Sequence, residues 1–275
     1  MRIAAAVRAF ARCLIIVAPV VTLVACTGMR ASSPATPLTR DQIDAIVAAP
    51  DRSDDDRRND RRRKPAEMLA FIGVRPGMAA LDLSAGGGYT TELIARAVGP
   101  SGIAFGQSRP PAPSTRSGGA DSSGAPQRTS AMALAERARK PAAANIVAIE
   151  RPLEDPVPPE RVNGGLDLVT LMFNYHDITY LPVDRARMNA AVFRALRSGG
   201  AYVVADHAGR PGTGASEAST LHRIEESFLR REVEAAGFRL AAEGMFLRNP
   251  ADPRDREAPE PAMPKDEFVL RFVKP

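Results

Sequence analysis

A short apolar run from Met78 to Leu83 is followed at once by Gly86-Gly87-Gly88, and then by helical spacing from Thr90 to Val98. A chain passes this abruptly from strand to helix only over residues that tolerate unusual backbone angles, and glycine is the chief of these. Lacking a Cβ, glycine also lets a ligand approach the backbone. The helix N-terminus behind it favours a polar or anionic group. Such a turn serves plain strand–helix packing as well as binding, so by itself it fixes architecture more firmly than function. The dinucleotide spacing G-x-G-x-x-G is not met, because Thr91 stands at the third position.

Strand and helix signals keep alternating beyond this point. Strands are expected at Ile103–Gly106, Asn145–Ile149, Leu166–Phe173 and Ala201–Ala205, and helices at Met132–Lys140, Ala186–Leu196 and Leu221–Ala236. Repeated strand–helix units imply an α/β fold with a mostly parallel sheet covered on both faces. Two further strands, Arg239–Phe246 and Glu267–Val273, suggest an antiparallel hairpin at the C-terminal edge. Ahead of the first strand, the mixed-charge run Asp54–Lys64 reads as a solvated helix face leading into apolar Met68–Ile72. Ser108–Ser130, rich in Pro, Ser and Gly, reads as a disordered insertion.

The sequence-wide pI near 9.6 invites a nucleic-acid reading, so the charge has to be located. Arg2, Arg8 and Arg12 lie in the first 25 residues, which hold no acid; without them 34 basic residues face 32 acidic ones. No nucleic-acid partner is expected from so small an excess. Those arginines precede an apolar run from Cys13 to Ala25, too short to span a bilayer. A positive start, a short apolar core and small residues before a cut describe an export signal over residues 1–25. Leu23-Val24-Ala25-Cys26 also resembles the bacterial lipobox, which makes Cys26 a lipidation site. An ordinary signal peptide with a cysteine near its cut is the alternative. The expected organisation is thus leader 1–25, tether 26–53 and folded domain 54–275, exported to the cell envelope and lipid-anchored on the periplasmic side. Both cysteines, Cys13 and Cys26, fall in the leader or at its end, so disulfide, Cys-ligated metal and Cys-nucleophile chemistry are excluded from the folded part.

Four features taken in order carry a family resemblance. Leu81-Asp82-Leu83-Ser84-Ala85-Gly86-Gly87-Gly88 resembles motif I of the class I S-adenosylmethionine-dependent methyltransferases, with Ser84 where the first glycine usually stands. Asp167-Leu168-Val169 through His176 resembles their fourth strand and its loop. Phe193 through Asp206, with Gly199-Gly200, resembles the following helix, turn and fifth strand, and Glu234-Ala235-Ala236-Gly237-Phe238 the approach to the sixth. A narrower resemblance rests on Arg63-Lys64-Pro65-Ala66-Glu67, Asn174-Tyr175-His176-Asp177, Asp206-His207, Leu221-His222-Arg223-Ile224 and Phe246-Leu247-Arg248-Asn249-Pro250. Together these are similar to a group of predicted bacterial methyltransferases, often exported.

The resemblance implies a Rossmann-like, doubly wound sheet that binds S-adenosylmethionine at the carboxyl ends of its first strands. Asp82, Ser84, Gly86, Gly87 and Gly88 would surround its amino-acid part, and Asn174 would lie against it. Gln107 takes the place of the acid that usually holds the ribose hydroxyls, and Glu154 or Asp155 would receive the adenine amino group. Those two acids read equally well as a solvated loop beside Pro156. His176, with Asp177 beside it, is the candidate general base or orienting residue; the alternative is a histidine that caps the strand. His207 faces the same crevice or is a polar loop residue, and His222 is expected on a helix in a solvated or capping role. No metal is assigned: His176, Asp177, Asp206 and His207 offer suitable ligand types, but nothing in their spacing is specific for an ion. Tyr89 and Tyr175 would stack on a ligand or belong to the core. The expected function is methyl transfer from S-adenosylmethionine to a small or lipid-like acceptor. A non-catalytic envelope lipoprotein of the same fold, binding a small molecule or a protein partner, is the alternative.

Overall fold

Within the folded region each strand divides its side chains between two apolar layers. In β1 (Ala79–Leu83), Ala79, Leu81 and Leu83 point into one core and Ala80 into the other, as the two-residue period of a strand requires. The computed structural model describes residues 36–110 and 129–275. The leader, Cys26, the first part of the tether and residues 111–128 of the insertion lie outside the described residues.

Among the described residues three helices precede the sheet: α1 (Arg40–Ala48), α2 (Asp54–Arg63) and α3 (Pro65–Ile72). After β1 come α4 (Tyr89–Val98), β2 (Ile103–Ser108), α5 (Ser130–Arg137), β3 (Ile146–Glu150) and β4 (Leu166–Met172). The rest is α6 (Tyr175–Thr179), α7 (Arg185–Ala195), β5 (Leu196–His207), α8 (Ala218–Leu221), α9 (Glu226–Ala235), β6 (Arg239–Gly244) and β7 (Glu267–Val273). The seven strands lie in the order β3-β2-β1-β4-β5-β7-β6. The first five pair in parallel, and β7 runs antiparallel to both β5 and β6. This is the α/β sheet with a C-terminal antiparallel hairpin that the sequence led us to expect.

One core packs Met188 and Val192 of α7 and Leu229 and Val233 of α9 on Leu81, Val169 and Tyr202. The other packs Leu69 and Ile72 of α3, Leu93, Ile94 and Val98 of α4, and Leu134 of α5 on Ala80, Leu168 and Val203. The order of strands changes direction at β1, between β2 and β4, which opens a crevice over their carboxyl ends. Among the described residues no helix is long and apolar enough to cross a membrane.

The insertion is shorter at both ends than the sequence reading, since Ser108 closes β2 and Ser130 opens α5, and three other segments add to that reading or depart from it. Residues 40–48, assigned to the tether, form α1 because Thr39 and Gln42 close a capping box and Ile43 buries itself in the second core. The charged run is helical as expected, with Asp54–Asp56 in the first turn and Arg61–Arg63 in the last, matching the helix dipole. It is not merely solvated, since Asp56 is buried. The helix expected over Leu221–Ala236 is broken: His222 adopts φ 50°, and Ile224 pairs with Ala208 in a parallel bridge before α9 begins.

Candidate functional site

The glycine turn leaves β1 through three residues of positive φ, Ser84 (52°), Gly86 (54°) and Gly88 (77°). At Ser84 this region is unfavourable for a side chain. Its hydroxyl donates to Asn174 Oδ1 (2.6 Å) and its N–H to Gln107 Oε1 (2.9 Å), which tie the turn to the ends of β4 and β2. Glycine is required at position 88 on space as well as angle. A Cβ there would lie 2.8 Å from Leu134 Cδ2 and 2.9 Å from Arg137 Cδ of α5.

Over this turn lies a cavity of about 220 Å³, walled by Asp82, Ser84, Gly86 and Gly87, by Phe173 and Asn174 beyond β4, and by Asn59 and Arg63 of α2. Asp82 is buried at its floor and accepts from Thr91 Oγ1 and Thr170 Oγ1, both at 2.7 Å. Burial pushes its carboxyl up to about 6, against the pull of the two hydroxyls. Arg63 lays its guanidinium 3.7 Å from the Phe173 ring centroid. Burial, with Arg62 adjoining, lowers its pKa to about 10, the mark of a cation held short of solvent and of anionic partners. Asn59 and Arg63 are four residues apart and so share one face of α2. That spacing was the available signal for both, and reading the run as solvent-facing hid it.

Gln107 does not reach this cavity. It is fully buried, with Oε1 taking the Ser84 N–H and Nε2 donating to the Arg151 carbonyl (2.6 Å), so both ends of its amide bind backbone. Glu154 accepts the Asp184 N–H at 3.2 Å, and Asp155 is paired with Arg151. Neither acid lines the cavity. The structure thus brings none of Gln107, Glu154 and Asp155 to this cavity: each is engaged with local backbone or a neighbouring ion pair. Tyr175 is a core residue, bonded to Glu232 (2.8 Å) and Asn189 (3.0 Å); Tyr89 borders the cavity with its hydroxyl on Asp60 (2.7 Å).

Beside the cavity the chain's three histidines converge. The rings of His207 and His222 each lie 5.5 Å from that of His176. Buried Asp206 organises them. One oxygen accepts the His176 backbone N–H (2.8 Å), and the other faces His176 Nδ1 (2.6 Å) and accepts the His207 N–H (2.8 Å). Burial opposes charge on His176, but the Asp206 bond and the nearby Asp206 and Asp177 carboxylates outweigh it and raise its pKa. Burial wins at His207, whose pKa is lowered although its Nδ1 stands 3.0 Å from Glu267 Oε1. Asp177 Oδ1 lies 3.2 Å from His176 Nε2 and 3.3 Å from His222 Nδ1. Asn174 Nδ2 donates to the other Asp177 oxygen (2.7 Å), so hydrogen bonds run unbroken from Ser84 through Asn174 to Asp177. His222 is thus part of this cluster and not a helix-surface residue. Glu267 and Arg63 join from elements that no local motif connects to it.

Neither a family model nor a curated protein matches the sequence. Solved structures do. A SAM-dependent methyltransferase from Aquifex aeolicus aligns with TM-score 0.53 at 14% identity, over 86% of this chain and 98% of its own. An arsenic(III) S-adenosylmethionine methyltransferase from Chlamydomonas reinhardtii aligns with TM-score 0.53 at 17% identity, over 88% and 75%. The [4+2]-cyclase SpnF aligns with TM-score 0.51 at 14% identity, over 78% and 83%. The fold is therefore the Rossmann-like one of class I methyltransferases. The cyclase shows that this fold alone does not dictate the reaction.

Proposed function

We propose that the protein is an S-adenosylmethionine-dependent methyltransferase acting on a small or lipid-like acceptor. The observation that carries this reading is the cavity over Ser84–Gly87, which brings Asp82, Asn174 and Arg63, stacked on Phe173, to one place at the strand crossover. About 220 Å³ is below the range of about 300–1,000 Å³ usual for whole ligands, and it suits the cofactor's amino-acid end. Gly86 and Gly87 offer backbone without a Cβ in the way, and Arg63 offers a cation to the carboxylate. The fit is at this end; among the described residues, Ser108, Arg109 and Pro110 follow Gln107 at the exit of β2. When bound, the cofactor supplies a methyl group on a sulfonium sulfur, and the C–S bond breaks as the bond to the acceptor forms.

Such a displacement depends mainly on alignment, and a base is needed only where the acceptor must lose a proton. His176 is the residue we assign to that task. With the Nδ1 proton directed at Asp206, Nε2 would receive the acceptor's proton, and Asp177 Oδ1, 3.2 Å away, would stabilise the resulting charge. The Leu23–Cys26 motif adds the proposal that this chemistry takes place at the periplasmic face of the envelope, on a lipid-anchored protein.

Calorimetric titration of the purified chain with S-adenosylmethionine, and separately with S-adenosylhomocysteine, tests the reading. Micromolar binding of both is expected. Arg63→Met should weaken both by roughly 10- to 100-fold, the worth of about 1.5–3 kcal/mol for a hydrogen bond to a charged group. No binding of either by a folded chain would reject the methyltransferase and favour a non-catalytic protein of this fold.

A further inference from the structure

We propose that His176, Asp177 and His222 form a binding site for a divalent transition-metal ion of the zinc class. One ligand atom from each of the three residues lies within 4.8 Å of the others. The two separations from Asp177 Oδ1, 3.2 Å to His176 Nε2 and 3.3 Å to His222 Nδ1, match a tetrahedral edge. Bonds of about 2.0–2.1 Å to nitrogen and oxygen place neighbouring ligands about 3.3 Å apart. Two of the three ligand separations therefore stand at the spacing of a bound ion, and the third, within 4.8 Å, would have to close around it.

The surroundings are those a metal site requires. A ligating imidazole is ordinarily oriented by a carboxylate on its other nitrogen, and Asp206 does this for His176 at Nδ1. A ligating carboxylate is ordinarily hydrogen-bonded on its second oxygen, and Asn174 Nδ2 does this for Asp177 at Oδ2. Tyr180 Oη also donates to Asp177 Oδ1, a contact that an ion would share or displace. His222 caps the C-terminus of α8 in the left-handed conformation, φ 50°, and the chain that follows is firmly anchored. There the fully buried Arg223 binds the Ala208 and Arg256 carbonyls (3.0 and 2.9 Å) and pairs with Asp252 (2.9 Å). His222 Nδ1 is thereby held 3.3 Å from Asp177 Oδ1.

Two imidazoles and one carboxylate favour Zn²⁺, Fe²⁺ or Co²⁺ over Mg²⁺ or Ca²⁺. Three protein ligands leave a fourth tetrahedral position, as in catalytic rather than structural zinc sites. The role in catalysis rests on the methyl-transfer reading: an acceptor hydroxyl taking that position would lose its proton to water under the ion's charge and then attack the methyl carbon. His176 Nε2 would then be a ligand instead of the proton acceptor. The ion site itself stands on the side chains alone.

The test is a Co²⁺ titration of the chelator-treated, untagged full chain without S-adenosylmethionine, followed by visible absorption. A saturable tetrahedral cobalt spectrum at a single equivalent, displaced by Zn²⁺, is expected. His222→Gly keeps a backbone suited to φ 50° and removes one ligand, so it should weaken cobalt binding at least 100-fold. Asp206→Asn should weaken it by about 10- to 100-fold. His207→Gln should bind as the wild type does. A folded wild type without a saturable spectrum overturns the site, as does full affinity in His222→Gly or equal losses in the His222 and His207 variants. Cobalt binding without S-adenosylmethionine binding would reject the methyl-transfer reading and leave the site standing; the reverse would reject the site alone.

Discussion

Replacing Glu92 by alanine is expected to destabilise the fold by about 3–5 kcal/mol, as measured by urea unfolding at neutral pH. Glu92 is 1% exposed, yet it is charged and surrounded by three cations. It accepts from Arg96 (3.0 and 2.7 Å), Arg137 (2.6 Å) and Lys140 (3.0 Å to each oxygen). Arg137 in turn clamps buried Asp56 with two bonds, 2.7 and 2.8 Å, and holds the Gly87 carbonyl. The network thereby joins α2, α4 and α5 and braces the glycine turn. Alanine would leave Lys140 without its partner and strip Arg96 and Arg137 of one carboxylate each, inside a poorly solvated junction. The pH dependence follows from the same bonds. Burial tends to raise the pKa of Glu92 and of Asp56, but hydrogen bonds from the arginines and lysine prevail and lower both. With folded pKa values below the unfolded ones, of about 4.3 and 3.9, the unfolded chain binds more protons in the acid range. This stability is complete above those unfolded values and is lost as pH falls through the lower folded ones. The wild type should therefore lose stability more steeply on acidification than the alanine variant. A loss below about 1 kcal/mol at neutral pH, with parallel acid curves, would show the cluster behaving as solvated surface pairs.

What the sequence revealed and what it hid separate along physical lines. β1 and β4 were legible because strands covered on both faces are nearly continuous apolar runs. The end of β2 was not: Gln107 and Ser108 are polar, and Gln107 belongs in the strand because its amide finds backbone partners on β1 and beyond β3. The break at His222 was equally invisible, since Leu221 and Ile224 keep helical spacing with the residues that follow. Only the Ala208–Ile224 bridge and the buried Arg223 show why the helix must restart. Asp82, Ser84, Gly86, Gly87 and Asn174, named from the family resemblance, share one cavity because strand order delivers strand ends to one crevice, and His176 follows Asn174 and Tyr175 beside it. Arg63, His222 and Glu267 come from a helix before the sheet, the end of α8 between β5 and β6, and the start of the last strand. No periodicity links elements so far apart. Gln107 was assigned by position alone, and position does not tell which way a side chain turns.

His176→Ala should lower methyl transfer by about 10²- to 10⁴-fold while leaving S-adenosylmethionine affinity unchanged. The separation is expected because His176 does not line the cavity over the glycine turn. The fold should survive the change: Asp206, fully buried, keeps the backbone N–H groups of residues 176 and 207 as donors when the ring is removed. Turnover is read as S-adenosylhomocysteine formed with phenol, catechol and fatty-acid acceptors, and affinity by calorimetry. Asp206→Asn should lower turnover in the same direction, since an amide no longer enforces the proton on Nδ1. Full turnover in His176→Ala would remove the residue from the mechanism, and a parallel loss of cofactor affinity would make it structural. Chelation then distinguishes its two possible roles. A chelator-treated wild type that keeps its turnover leaves His176 as the proton acceptor, because Nε2 acts without an ion. One that falls to the level of His176→Ala and recovers with Zn²⁺ makes the same nitrogen a ligand, with the acidity of the acceptor set by the metal.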